Sequence, residues 1–119
     1  MGAQFDNYPD LMEYVAVEEG LARVVNQPTI YKKILNTFLT STYFEDFCAQ
    51  VKSGDSAAAA TLHALKGVTA NLSLKKINEI CISVEQKIKN GEDVSGDLDE
   101  MAEIMNKTKE YVEIVIQTI

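Results

Sequence analysis

The chain is short of several things at once: it has one histidine, two cysteines, no surplus of basic charge, no long apolar run and no β-hairpin signal. Each shortage removes a class of protein. Cys48 and Cys81 lie inside apolar helical patterns, without the spacing of a redox CxxC or a zinc knuckle, so they read as packed free thiols of a reducing cytoplasm. A formal net charge of −7 leaves no basic field to displace counterions from a phosphate backbone, which argues against nucleic acid and against an anionic membrane surface. No stretch of about 18 apolar residues is present, so no membrane insertion is expected. Met1 to Asp6 carries neither a basic region nor a following apolar run, which speaks against a usual secretory signal.

What is present is helical periodicity. At 119 residues and 46% hydrophobic composition the chain is long enough for one domain with one core. Residues 1–10 read as a flexible lead and residues 11–119 as the folded domain. Asp10 is suited to cap a short helix carrying Leu11, Met12, Tyr14 and Val15, and a second piece brings Leu21, Val24 and Val25 to one side. Pro28 restarts the chain into a helix presenting Ile30, Ile34, Leu35 and Phe38. Thr40 to Thr42 marks a kink or break before Tyr43, Phe44, Phe47 and Val51. Ser53-Gly54-Asp55-Ser56 is a turn, with Gly54 ending one helix and Asp55 capping the next, which runs over about residues 56–72.

After a junction at Leu72-Ser73-Leu74, a helix carries Ile77, Ile80, Cys81, Val84 and Ile88 until Asn90-Gly91 closes it. The last helix repeats Leu98, Met101, Met105, Thr108, Val112, Val115 and Ile119 at spacings of three and four, the seam of a bundle helix, with Ile104 and Tyr111 broadening it. Four principal helices with short connections imply an all-α, antiparallel up-down-up-down four-helix bundle preceded by one or two short N-terminal helices. A monomer explains the pattern, although the last seam could also zip to a second copy.

The lone histidine is the candidate for chemistry. At about 100° per residue, Leu62, Leu65, Thr69 and Leu72 form an apolar stripe and His63 falls opposite it. Its neighbours on that outward face are Ser56, Ala59, Ala60, Lys66, Gly67 and Ala70. Most are small, so a partner could approach the ring closely, and Gly67 in mid-helix costs roughly 1 kcal/mol against Ala, which asks for a compensating reason such as that clearance. An outward imidazole offers a nucleophilic nitrogen near neutral pH. A phosphoryl group accepted there would be offset by Lys66, one turn away.

The remaining parts of phosphoryl chemistry are missing. The sequence contains no GxxxxGK[ST] loop, no kinase signature set and no defined carboxylate cluster for magnesium. The chain would therefore lend one nucleophile while a partner brings the donor and the metal. No second histidine or suitably spaced thiol supports a metal ligand role for His63. Lys75 and Lys76 could steer an acidic partner or simply solvate a helix face, and Met101 and Met105 fit as core filling.

The run His63-Ala64-Leu65-Lys66-Gly67, preceded by an alanine-rich turn and followed by Leu72 and Leu74-Lys75-Lys76-Ile77, resembles the histidine-containing phosphotransfer domain of multistep phosphorelays. The resemblance covers about residues 11–118. It implies a four-helix bundle whose surface histidine takes a phosphoryl group from an aspartyl phosphate on a receiver domain and relays it to another aspartate. On that reading His63 is the phosphoacceptor, Lys66 favours the phosphorylated state, Gly67 gives steric access, and Ala59, Ala60 and Ala70 meet the partner. It further implies a receiver or hybrid histidine kinase as partner, no cofactor in the chain itself, Mg2+ on the receiver, and a cytoplasmic location. Ser73 departs from the pattern, standing where family members often carry glycine; its hydroxyl could cap the following helix. The competing reading is a helical adaptor or antagonist that binds a receiver or kinase and transfers nothing.

Overall fold

The computed structural model describes residues 5–119. Among them are seven α-helices and no strand: α1 (Leu11–Tyr14), α2 (Val17–Arg23), α3 (Pro28–Thr40), α4 (Tyr43–Ser53), α5 (Ala58–Asn71), α6 (Lys75–Lys89) and α7 (Leu98–Thr118), with a 3-10 turn at Ser95–Asp97 leading into the last. The chain is an up-down-up-down bundle in which α3 and α4 together form the first long arm, and α1 and α2 are the two short N-terminal helices. α4 packs on α5, α5 on α6, α6 on α7, and α3 closes the ring against α7. No helix among the described residues is long and apolar enough to cross a membrane.

The apolar stripes read from the sequence meet in one core. Leu35, Phe38 and Phe47 from the first arm, Leu62 and Leu65 from α5, Ile77, Cys81 and Val84 from α6, and Met101, Met105, Val112 and Val115 from α7 are buried together. The α7 seam is thus occupied within the chain. Ser41 and Thr42 separate α3 from α4, and Gly54 ends α4 in the left-handed region at φ 71°, which glycine adopts without steric cost. Asp55 does not cap α5, whose N-cap is Ala57; its Oδ1 instead accepts from the Ala57 N–H at 2.9 Å, in the turn ahead of the helix.

Several local expectations change. Asp10 makes no cap to α1; its carboxylate instead accepts from the Tyr111 hydroxyl, which holds it below the usual carboxylate range. Val25 does not join Leu21 and Val24 but lies 78% exposed in the left-handed region at φ 56°, because α2 has already ended at Arg23. Ile30 is exposed, and Tyr31 takes the core position beside it. Cys48 is half-buried while Cys81 is buried, and burial pushes the Cys81 thiol up to about 12. Of the expected lead, residues 1–4 lie outside the described residues, whereas Phe5 is packed into the core.

The α5–α6 junction is the most heavily tied connection. Ser73 sits at φ 60°, and its hydroxyl does not cap α6 but accepts from Arg23 Nε at 3.3 Å. The Ala16 N–H donates to the Ser73 carbonyl at 2.9 Å, and the buried Tyr31 hydroxyl donates to the Leu72 carbonyl at 2.8 Å. Gly20 lets that tyrosine through, since a Cβ there would collide with the ring and hydroxyl of Tyr31. Gly20→Ala is therefore expected to destabilise the fold by about 1–3 kcal/mol through overpacking. Gly67→Ala, whose Cβ would meet nothing within 4 Å, should stabilise it by roughly 0.5–1 kcal/mol. Urea unfolding midpoints moving in opposite directions check both.

Candidate functional site

α5 and α6 run antiparallel, and their shared groove holds the one histidine. The His63 side chain is 72% exposed, yet its Nδ1 lies 2.9 Å from Glu85 Oε2. The other oxygen of the same carboxylate accepts from Lys66 Nζ at 2.6 Å, and Lys89 Nζ stands 3.8 Å from it. One nearly buried carboxylate, 11% exposed, therefore joins the exposed imidazole to two ammonium groups. Asn78 fixes the same pair of helices further along, donating from Nδ2 to the Lys66 carbonyl at 2.9 Å and to Thr69 Oγ1 at 3.2 Å.

Charge sets the state of the ring. The Lys66 hydrogen bond, and after it that from His63, holds the Glu85 carboxyl below the usual carboxylate range, so it is ionised near neutral pH and can only accept. Facing such an acceptor, Nδ1 carries the proton and donates it. A neutral imidazole in that tautomer keeps its lone pair on Nε2, at the far edge of the ring. Attack from Nε2 would place positive charge on the ring, and the carboxylate at Nδ1 offsets that charge where it develops. The ring is thus held in one orientation and one tautomer while its other nitrogen remains free.

Lys66 was expected to act on a phosphoryl group directly. In this structure its ammonium, on a side chain 27% exposed, is engaged by Glu85, which links it to the imidazole through the shared carboxylate. His63 and Lys66 are brought together by a residue that the sequence reading did not single out. A signal existed: Glu85 stands eight residues after Ile77, four after Cys81 and one after Val84, inside the apolar stripe of α6. A carboxylate at such a position is buried only when it is paired.

The remaining candidates lie along α5. Ala59, Ala60, Gly67 and Ala70 are all exposed, and among the described residues no contact requires glycine at position 67. A groove of about 560 Å³ runs along α3 past Lys32 and Lys33, and another of about 380 Å³ lies at residues 40–46; neither includes His63. The ring stands on an open surface, which suits a protein-sized partner better than a small enclosed substrate. Among the described residues no group of three or more His, Cys, Asp or Glu side chains is placed to hold a metal ion. No family model, no curated protein and no solved structure matches the chain.

The linkage of Glu85 to stability has a definite sign. A carboxyl whose folded value is depressed stabilises the fold above the ordinary carboxylate range, and that contribution is lost as pH falls through the depressed value. Glu85→Gln is expected to be less stable than wild type at neutral pH, with the gap closing on acidification. Taking the difference between the two proteins cancels Asp10, Glu19 and Asp93, which are also held low. Denaturant unfolding of both across pH 2–7 measures it, and a gap independent of pH would refute the pairing.

Proposed function

We propose that this chain is a histidine phosphocarrier, accepting a phosphoryl group on Nε2 of His63 from an aspartyl phosphate of a receiver domain and relaying it to another receiver aspartate. The observation that supports this reading is the Glu85 carboxylate, which engages Nδ1 of an otherwise open imidazole. An incidental surface histidine needs no such partner, and an adaptor that only binds would not need the tautomer it selects.

The step is a displacement at phosphorus. Nε2 attacks as the P–O bond to the aspartate breaks; the aspartate leaves as a free carboxylate with the bonding electrons, and an N–P bond forms on His63. The Nδ1 proton stays between the ring and Glu85, so no separate base is required. The donor partner supplies the activated phosphoryl group and the Mg2+, and a hybrid histidine kinase would load that donor. Lys66 keeps Glu85 ionised, and Gly67, Ala59, Ala60 and Ala70 give the partner room to reach the ring. We place the protein in the cytoplasm as a monomer, where the free thiols Cys48 and Cys81 stay reduced.

Incubation with a receiver domain phosphorylated on its aspartate should label the wild type with an acid-labile, base-stable modification and leave His63→Gln unlabelled. Undiminished labelling of that variant removes the proposal. Lys66→Ala should slow transfer or shorten the life of the phosphorylated state on the order of tenfold, by loosening the carboxylate that orients the ring, while circular dichroism stays helical. Unchanged rates in both measurements would leave Lys66 a solvated lysine.

A further inference from the structure

We propose that Ile82 on α6 is the apolar contact by which the phosphoryl-donating protein seats itself on the His63 face, making it a specificity residue of the transfer. The inference rests on the phosphocarrier reading. It begins from the register of α6, where Asn78, Ile82, Glu85 and Lys89 fall at spacings of four, three and four and so share one stripe. Asn78 and Glu85 both bond to α5, and Lys89 reaches Glu85, so the stripe borders the groove that holds the ring. Ile82 lies between them, about one turn from Glu85.

Its exposure is what calls for a partner. Single exposed apolar residues are common on protein surfaces, so place decides the matter. Among the described residues Val25 and Ile82 are the large aliphatic side chains with half or more of their surface exposed, at 78% and 51%, and Ile82 is the one on the helix pair that carries His63 and Glu85. A β-branched side chain in an exposed mid-helix position is also a poorer helix former than glutamate or glutamine, such as Glu79 and Gln86 one turn to either side. Among the described residues Ile82 is not one of the side chains packed against the core, so these two disadvantages are not offset there.

The surroundings fit one kind of occupant. Across the groove, Ala59, Gly67 and Ala70 are exposed and small, so a flat partner surface can reach both the ring and Ile82 at once. Lys66 and Lys89 against Glu85 leave the rim with one positive charge in excess, on a chain whose formal net charge is −7. That local reversal complements an anionic acyl phosphate bordered by apolar side chains. The partner is accordingly a protein whose phosphoryl-bearing aspartate is ringed by an apolar patch, and Ile82 enters that patch as the aspartyl phosphate meets Nε2.

Two donors separate docking from chemistry. Phosphoramidate, a small phosphoryl donor, needs no docking surface, whereas a receiver domain phosphorylated on its aspartate does. Ile82→Ser, which removes the apolar side chain without adding charge to the rim, should lower the rate of transfer from the receiver about tenfold, raise the receiver concentration needed for half-maximal rate, and leave labelling by phosphoramidate at the wild-type rate. Ile82→Leu should transfer as wild type does. Receiver transfer unaltered in Ile82→Ser overturns the inference and leaves the phosphocarrier reading intact. Loss of labelling by both donors, with helicity unchanged, overturns it as well, because Ile82 then acts through the site rather than the partner. Failure of the wild type with both donors removes the reading itself, and the inference with it.

Discussion

A carboxylate shared between an imidazole and an ammonium is the interaction on which the candidate site depends. Glu85 sits at the edge of the core, where an unpaired charge would be costly, and the Lys66 and His63 donors compensate it on both oxygens. The compensation works in both directions. The cations hold the carboxylate ionised, and the ionised carboxylate fixes which ring nitrogen carries the proton. An exposed histidine without that partner would rotate freely and exchange tautomers; with it, the ring presents Nε2 in one orientation from a rigid helix. The chemistry open to this surface is therefore decided by a residue whose own side chain is almost hidden from solvent.

That pairing in turn depends on the register between α5 and α6, which is set at their junction. A shift of α6 by one residue would swing Glu85 through about 100° and take it off the groove. The junction resists such a shift because three hydrogen bonds, two from the ends of α2 and one from α3, hold it: the Ala16 N–H on the Ser73 carbonyl, Arg23 on the Ser73 hydroxyl, and the buried Tyr31 hydroxyl on the Leu72 carbonyl. Ser73 accepts a left-handed backbone that glycine would adopt without strain, and its hydroxyl gives the arginine an acceptor that glycine lacks. The short helices α1 and α2, which contribute nothing to the groove directly, thus help to hold its geometry from one end of the bundle.

The apolar side chains left on the surface are few and unevenly placed. The α7 seam, the longest apolar repeat in the chain, is consumed by the core. What remains uncovered around His63 is a strip of small residues, one isoleucine and a locally positive rim. Gly67 belongs to that strip, and among the described residues a Cβ there would meet nothing within 4 Å.

The architecture was legible in the amino-acid sequence because it rests on local rules: apolar residues at spacings of three and four gave the helices, Gly54 and Pro28 punctuated them, and the outward position of His63 followed from the angle per residue. Ser73 was singled out as a departure, but its hydroxyl turned to Arg23 because the pairing of α2 with the junction is not written in either segment alone. Val25 and Ile30 went to the surface where the α2–α3 connection turned the chain, and Tyr31 entered the core through the opening at Gly20. Glu85 carried a partial signal in its place among Ile77, Cys81 and Val84, but the identity of its partners, 19 and 22 residues away on α5, is fixed only when α6 is laid against α5. Sequence by itself determined which helices form and that the imidazole faces outward, since both depend on neighbours within a turn. Only the tertiary structure decided the tautomer, the partner of Lys66 and the setting of Ile82, since each is fixed by contacts or register between separate helices.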